Sequence, residues 1–261
     1  MTLFISTIQA ELLKLRRTLA FWLVFLGPLF VVVLSFWFDL THPLTVQGAD
    51  VNAWQTVIGD TFMFWAVLML PMFVVLETAL LGQLEHNANA WKQLYAQPVP
   101  RWTFYFAKWF VGFLLIAAAY LVLIGGAAAA GLMTQWLRLA PHFHWISIFP
   151  NLFDLIWLPC AMFVLSLLMI SLHTYLGLRW SNFTVAIGLG ILASIIGYIG
   201  VAVNRMFISD FIPWAMPFHA AMVYTKGAPA VSLVLPLLIS CGGTVLVTLF
   251  GAWDVSRQDV L

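Results

Sequence analysis

The sequence has very little charge. Only 8% of its 261 residues are Asp, Glu, Lys or Arg, whereas 63% are hydrophobic. Soluble domains carry about 25% charged residues, so a chain this poor in charge cannot cover a water-facing surface. The composition therefore excludes a soluble domain and predicts an integral membrane protein.

Several motifs that would indicate chemistry are also missing. No lysine is followed by Ser or Thr, which excludes the phosphate-binding loop of P-loop ATPases. The patterns His-Glu-x-x-His and Gly-x-Ser-x-Gly are absent. The only cysteines, Cys160 and Cys241, lie in apolar stretches, where we expect small buried hydrophobes and no disulfide or zinc site. We therefore expect no enzyme, no catalytic residue, no metal and no cofactor on this chain.

What the sequence does contain is a series of long apolar stretches. A membrane-spanning helix needs about 20 apolar residues. Six stretches qualify: Leu19–Phe38, Thr61–Gln83, Phe104–Gly131, Leu152–Leu178, Phe183–Val203 and Val231–Trp253. They predict an all-α membrane protein with six transmembrane helices in a single domain, residues 1–261. The third and fourth stretches are long enough to require tilt, a kink or extension beyond the lipid.

The distribution of Lys and Arg predicts the orientation of the chain. Eight of the 11 basic residues precede the first span, follow the sixth, or lie in or beside the second–third and fourth–fifth connections. Only Arg138, Arg205 and Lys226 fall on the other side. Because basic residues collect on the cytosolic side, both termini are expected in the cytosol.

Residues 1–17 predict an amphipathic helix that lies along the cytosolic leaflet. Its apolar residues recur at steps of four and three, which places Phe4, Ile8, Leu12 and Leu15 on one face. Ser6, Lys14 and Arg17 fall on the opposite face, and Glu11 and Arg16 fall at the edges.

Three ionisable residues away from the outer ends of the predicted spans are candidate intramembrane sites: Glu77, Lys108 and His173. Glu77 and Lys108 belong to consecutive antiparallel helices, and we hypothesise that they pair, because burying either charge alone is expensive. The alternative is that Lys108 extends to the cytosolic surface while Glu77 lines a wet cavity. His173 is interpreted as a satisfied polar contact, with a proton relay as the alternative.

The outer connections carry two further features. Asp60 and Asp154 fall at the outer ends of spans, where we favour stabilisation of a helix end by the dipole over ion coupling. The segment from Pro213 to Pro217 suits a short broken helix that re-enters the bilayer edge, although an ordinary interfacial loop fits it equally well.

The connection between the second and third spans, residues 84–101, is polar and rich in side chains that make contacts. Asn87 or Asn89 can cap a short helix from Trp91 to Tyr95, which Pro98 and Pro100 would end. Such a helix suits docking by a cytosolic partner. The candidate contacts are Glu85, His86, Asn89, Trp91, Lys92, Leu94, Tyr95, Pro98 and Arg101.

These residues resemble the first cytosolic loop of ABC type-2 exporter permeases. The similar pattern is Glu85-His86, then Trp91-Lys92-Gln93-Leu94, then Gln97-Pro98-Val99-Pro100-Arg101, and finally Lys108. Glu11-Leu12-Leu13-Lys14-Leu15-Arg16-Arg17 is similar to the family's helix before the first span. Ser171-Leu172-His173 and Pro213–Pro217 resemble small permeases of the lantibiotic-immunity type. The loop departs from the family at Asn87-Ala88-Asn89-Ala90, where Lys and Gly-Thr are commoner.

The resemblance implies the permease half of an ATP-driven exporter in the bacterial plasma (inner) membrane. Two permeases, identical or paralogous, would form a dimer, and a cytosolic ATPase subunit would dock under each at a coupling helix within residues 84–101. ATP and Mg²⁺ would bind to that ATPase and not to this chain. The substrate would be amphipathic or hydrophobic: a peptide antibiotic, a drug or a lipid-like molecule, with a role in antibiotic resistance or immunity. An ion-coupled secondary transporter and an intramembrane enzyme are the alternatives.

Overall fold

The computed structural model describes residues 2–16, 18–41, 53–87, 99–137, 148–180, 182–202 and 210–257. Within these ranges the chain is helical and contains no strand, which confirms the predicted all-α class. The helices are α1 (Thr2–Leu15), α2 (Leu19–Thr41), α3 (Ala53–Phe64), α4 (Leu70–Asn87), α5 (Arg101–Trp136), α6 (Ile148–Arg179), α7 (Phe183–Ala202), α8 (Met216–Thr225) and α9 (Val234–Arg257). A π-helical turn, Trp65–Met69, joins α3 to α4, and a 3₁₀ turn, Ala230–Leu233, precedes α9.

The bundle is built around α5 and α6. Helix α6 packs against α3, α4, α5, α8 and α9, while α5 also packs against α1 and α2. The core consists of large side chains with no exposed surface, such as Trp65, Ile116 and Met162. In contrast, α2, α7 and α9 leave most of one face exposed, which suits elements that contact lipid or a second subunit.

The predicted spans correspond to helices of the structure, of which four or five meet the length and apolarity of a membrane span within the described residues. Among the residues that the structure describes, four helical segments are long and apolar enough to cross a membrane: Leu19–Thr41, Arg101–Trp136, Leu152–Arg179 and Ala230–Arg257. A fifth span forms if the bent pair Ala53–Val67 and Leu70–Leu84 is taken together. The predicted fifth span, Phe183–Val203, falls on α7, whose apolar part is the shorter Ile187–Gly200.

The predicted second span begins too late in the sequence and is not straight. Its helix starts at Ala53 rather than at Thr61, and the two halves meet at 48°. Pro71 follows the π-helical turn. Because proline lacks an N–H and its ring collides with the carbonyl four residues earlier, it explains the break.

The buried face of α1 differs from the predicted one. Thr7, Glu11 and Leu15 are buried, whereas Leu12 is 39% exposed. Glu11 therefore lies at the centre of the buried face and not at its edge. The reason is a partner on α5, which hydrophobic periodicity could not reveal.

The predicted burial of the two cysteines was also wrong, since Cys160 and Cys241 are exposed on the bundle. A thiol behaves as a small hydrophobe, so it tolerates an apolar surface as well as an apolar core.

Helices α4 and α6 come into backbone contact where they cross. A Cβ atom added at Gly82 would collide with the carbonyl oxygen of Gly177, and one added at Gly177 would lie 2.9 Å from the carbonyl oxygen of Thr78. Small residues allow this close approach of helices in lipid.

We expect Gly82→Ala to destabilise the fold by about 1–3 kcal/mol, because the backbone of α6 cannot move away as a side chain could. Gly242→Ala is the matched control: it also lies inside a helix, but nothing lies within 4 Å of the added Cβ. The measurement is the midpoint of thermal unfolding in detergent, with circular dichroism as the signal. Equal midpoints for the two variants would contradict the close crossing.

Candidate functional site

The structure describes only part of the predicted docking loop. Asn89, Trp91, Lys92, Leu94, Tyr95 and Pro98 lie outside the described residues. Helix α4 continues through Glu85 and His86 to Asn87, and the side chains of these residues also lie outside the description. Helix α5 begins at Arg101 directly after Pro100, whose extended backbone (ψ 136°) precedes the first turn. The predicted docking contacts stay predictions.

The packing of α4 against α5 fixes the depth of the two predicted intramembrane charges. Leu81 packs against Gly112, where its Cδ1 would lie 3.5 Å from an added Cβ. In an antiparallel pair, Glu77 is then level with Ile116, one turn deeper than Leu81. Lys108 lies one turn from Gly112 in the opposite direction, towards the start of α5. Glu77 and Lys108 are therefore offset by about 12 Å along the helices.

The hypothesis that Glu77 and Lys108 pair is therefore wrong. It assumed a compact loop that would bring the two residues to the same depth. The partner of Lys108 is Glu11, whose carboxylate Oε2 accepts a hydrogen bond from Lys108 Nζ at 2.6 Å.

The ion pair between Glu11 and Lys108 is buried, with side-chain exposures of 2% and 1%. It joins α1 to α5 across 97 positions of sequence. Lys14 completes the group from the surface side, since its Nζ lies 2.6 Å from Glu11 Oε1. Each carboxylate oxygen of Glu11 thus accepts a hydrogen bond from a lysine, which is the arrangement that makes buried charge tolerable.

Glu77 is enclosed in the bundle without such a partner. Its side chain has no exposed surface, and neither carboxylate oxygen has a hydrogen-bond partner within the described ranges. An unpaired polar group in the interior of a membrane protein is costly and often functional. Glu77 therefore differs from Glu11, whose carboxylate is paired with Lys14 and Lys108.

His173 forms a polar contact. Its Nε2 accepts a hydrogen bond from Trp214 Nε1 at 3.0 Å, and the two rings meet edge to face. Trp214 precedes α8, so this bond ties the predicted broken-helix segment to α6. That segment is a short helix from Met216 to Thr225 that packs on α3 and α6, and its first six residues are buried.

Ser171 connects three helices on the same side of the bundle as the ion pair. Its hydroxyl accepts a hydrogen bond from Trp109 Nε1 of α5 at 2.8 Å and lies 3.3 Å from Thr248 Oγ1 of α9. Beyond it, Asp254 of α9 accepts a hydrogen bond from Tyr175 at 3.3 Å and lies 3.6 Å from Arg179. Helices α5, α6 and α9 are thereby cross-linked by polar side chains near the end that carries both termini.

A double-mutant cycle tests the pairing directly. Glu11→Gln and Lys108→Met should each lower stability by about 3–5 kcal/mol, because each removes one partner of a buried ion pair. The double variant should lose less than the sum of the two, with a coupling energy of about 1–3 kcal/mol. The measurement is the free energy of unfolding in mixed micelles.

Glu77→Gln is the control for this cycle. Combined with Lys108→Met, it should give losses that add to within about 0.5 kcal/mol, because the two residues are far apart in depth. Coupling of Glu77, rather than Glu11, to Lys108 would overturn the assignment.

Comparison with known proteins adds one finding. A family model described as an ABC-2 family transporter protein matches residues 7–198, which is more than half of the chain and contains both partners of the ion pair. No curated protein and no solved structure matches the chain.

Proposed function

The chain belongs to the ABC-2 family of transporter proteins, and on that premise we propose that it is the permease subunit of an ATP-driven exporter whose ATPase is a separate polypeptide. As a member of this family with several apolar helices, it is a multi-pass membrane protein and a permease component of an ABC transporter. Permeases of this family generally pair with an ABC ATPase. Membership of the ABC-2 family supports this proposal over an ion-coupled secondary transporter or an intramembrane enzyme.

The observation that carries our proposal for energy coupling is the buried ion pair between Glu11 and Lys108. Lys108 lies two turns after Arg101, where α5 leaves the loop predicted to dock on the ATPase. A force applied to that loop therefore reaches α5 and α1 together. The long α5, about 54 Å at a rise of 1.5 Å per residue, carries the displacement through the bundle.

The proposed assembly contains two permeases and two ATPases. The exposed apolar faces of α2, α7 and α9 leave enough surface for both lipid and a second permease. Large exposed side chains such as Trp22, Phe30 and Trp37 on α2 suit either neighbour. The proposed cargo is an amphipathic or hydrophobic molecule, such as a peptide antibiotic, and the proposed location is the bacterial plasma membrane with both termini in the cytosol.

The docking loop predicts a specific loss of partner binding. Tagged chain, purified in mild detergent, should retain a cytosolic ATPase that carries a phosphate-binding loop. The double variant Trp91→Ala, Leu94→Ala should lose that subunit, because it removes the apolar contacts of the predicted coupling helix. Mass spectrometry of the co-purified chains is the measurement.

Trp136→Ala is the matched control for this experiment. Trp136 is a strongly exposed tryptophan at the far end of α5, and its removal should leave ATPase binding unchanged. If no ATPase accompanies the unmodified chain, the proposed exporter is wrong. If the double variant and Trp136→Ala retain the ATPase equally well, the assignment of the docking loop is wrong.

The ion pair predicts a different defect. Glu11→Gln should keep the ATPase bound, because the docking loop is intact, but should lower the number of substrate molecules moved per ATP hydrolysed. ATP hydrolysis and substrate flux are measured together in proteoliposomes that contain the assembled transporter. An unchanged ratio of flux to hydrolysis would contradict a role for this ion pair in coupling.

A further inference from the structure

A cavity opens at the end of the bundle opposite the chain termini. It has a volume of about 360 Å³ and lies between α3 and the end of α8. Its lining residues are Gln55, Thr56, Gly59, Asp60, Tyr224, Thr225 and Gly227. Gly59 lets α8 approach α3 here, since an added Cβ would lie 3.1 Å from Thr225 Cγ2.

Asp60 lies within a helix and faces this cavity. The expectation that Asp60 and Asp154 stabilise helix ends is wrong, because α3 begins seven residues before Asp60 at Ala53, and α6 begins at Ile148. Neither carboxylate is in the first turn, where it would meet the helix dipole. A different reason is needed for a carboxylate at position 60.

A second carboxylate lies behind Asp60. The hydroxyls of Ser35 and Thr61 are 3.1 Å apart and join α2 to α3, and Asp39 lies one turn further along α2, towards the end of the bundle at which the cavity opens. Asp39 is 3% exposed, and its Oδ1 has no hydrogen-bond partner among the described residues. It lies within electrostatic range of Asp60.

A third carboxylate reaches the cavity through Tyr224. The phenol of Tyr224 donates a hydrogen bond to Asp154 Oδ2 at 3.3 Å. Burial, together with the neighbouring Asp154 carboxylate, raises the pKa of Tyr224 above its usual range, so the phenol stays protonated as a donor. Lys226 lies between two lining residues, but its side chain is exposed and is not part of the wall.

We propose that this cavity binds an organic cation, specifically the ammonium or guanidinium group of the transported molecule. Two neighbouring carboxylates without a cationic partner in the described part of the chain create a negative potential, which a low-dielectric wall focuses into the opening. The phenol ring of Tyr224 adds an aromatic surface suited to a cation. No cluster of three His, Cys, Asp or Glu side chains that could hold a metal ion occurs within the described ranges.

The inference rests on the proposed function only in naming the ligand as cargo. Binding of a cation can be measured on the permease alone, without an ATPase. Failure of the exporter proposal and failure of this site are therefore separate results.

Cysteine labelling in lipid nanodiscs tests the site. In a background with Cys160→Ala and Cys241→Ala, Thr225→Cys reports on the cavity and Ser232→Cys reports on exposed surface outside it. Each is labelled with a cationic trimethylammonium-ethyl methanethiosulfonate and with an anionic sulfonato-ethyl methanethiosulfonate. The ratio of the cationic to the anionic rate should be about tenfold higher at position 225 than at position 232, because the cavity concentrates cations.

Two variants connect this ratio to the carboxylates. Asp60→Asn and Asp39→Asn preserve side-chain shape, and each should lower the ratio at position 225 severalfold while leaving position 232 unchanged. Size-exclusion profiles identify any variant that fails to fold, and Thr56→Cys then serves as a second reporter in the same wall. Equal ratios at positions 225 and 232 would overturn the proposal, because they would mean that the chain neutralises its own carboxylates.

Protection by a ligand completes the test. Benzylammonium should slow labelling of Thr225→Cys in the parent chain but not in the Asp60→Asn variant. Benzyl alcohol, the uncharged analogue, should give no protection. Equal protection by benzyl alcohol would indicate an apolar cavity, and equal protection by potassium chloride at matched ionic strength would indicate screening; either result would overturn the assignment of an organic cation.

Discussion

The buried ion pair between Glu11 and Lys108 is the constraint on which the arrangement of α1, α5 and the intervening helices depends. A charged pair inside a membrane protein is tolerated only when both partners are in place, so α1 cannot turn or slide without exposing an unpaired charge. Lys14 adds a second contact to the same carboxylate. The N-terminal helix is therefore part of the bundle and not a loosely attached surface segment.

The two ends of the bundle treat charge differently. Near the chain termini, Glu11 has two lysine partners, and Asp254 lies beside Arg179 and Tyr175. At the opposite end, Asp60 lines an open cavity, and Asp39 lies within electrostatic range of Asp60. An end that holds its helices together with ion pairs suits attachment to a motor subunit. An end where Asp39 and Asp60 have no cationic partner among the described residues suits contact with a ligand.

Much of the fold could be predicted from composition and periodicity. Stretches of apolar residues located the helices that cross the bundle, although α5 begins at Arg101, directly after Pro100, and not at Phe104. The face of α1 was predicted wrongly because it was defined by apolar residues alone, whereas the residue that buries Glu11 lies 97 positions away. The depth of Glu77 relative to Lys108 was wrong for a similar reason, since it depends on helix register and not on local sequence.

The site was less predictable than the fold. The role of Asp60 depended on where its helix begins, and eight residues before the predicted span proved to be helical. The close crossing at Gly82 and Gly177 joins two residues of separate helices, and only the packed bundle brings them together. Contacts between helices that are distant in sequence cannot be predicted from the residue pattern of either helix alone.

The most direct test of the account is the distance between α1 and α5 during the ATP cycle. Spin labels replace Leu13 and Trp102, both exposed, in a permease diluted with unlabelled subunit and assembled with its ATPase. Double electron–electron resonance should give one narrow distribution of distances between the two labels. This distribution should not change when ATP binds, because the ion pair makes α1 and α5 move together. A shift of that distribution on ATP binding, with Glu11 and Lys108 intact, would contradict the account.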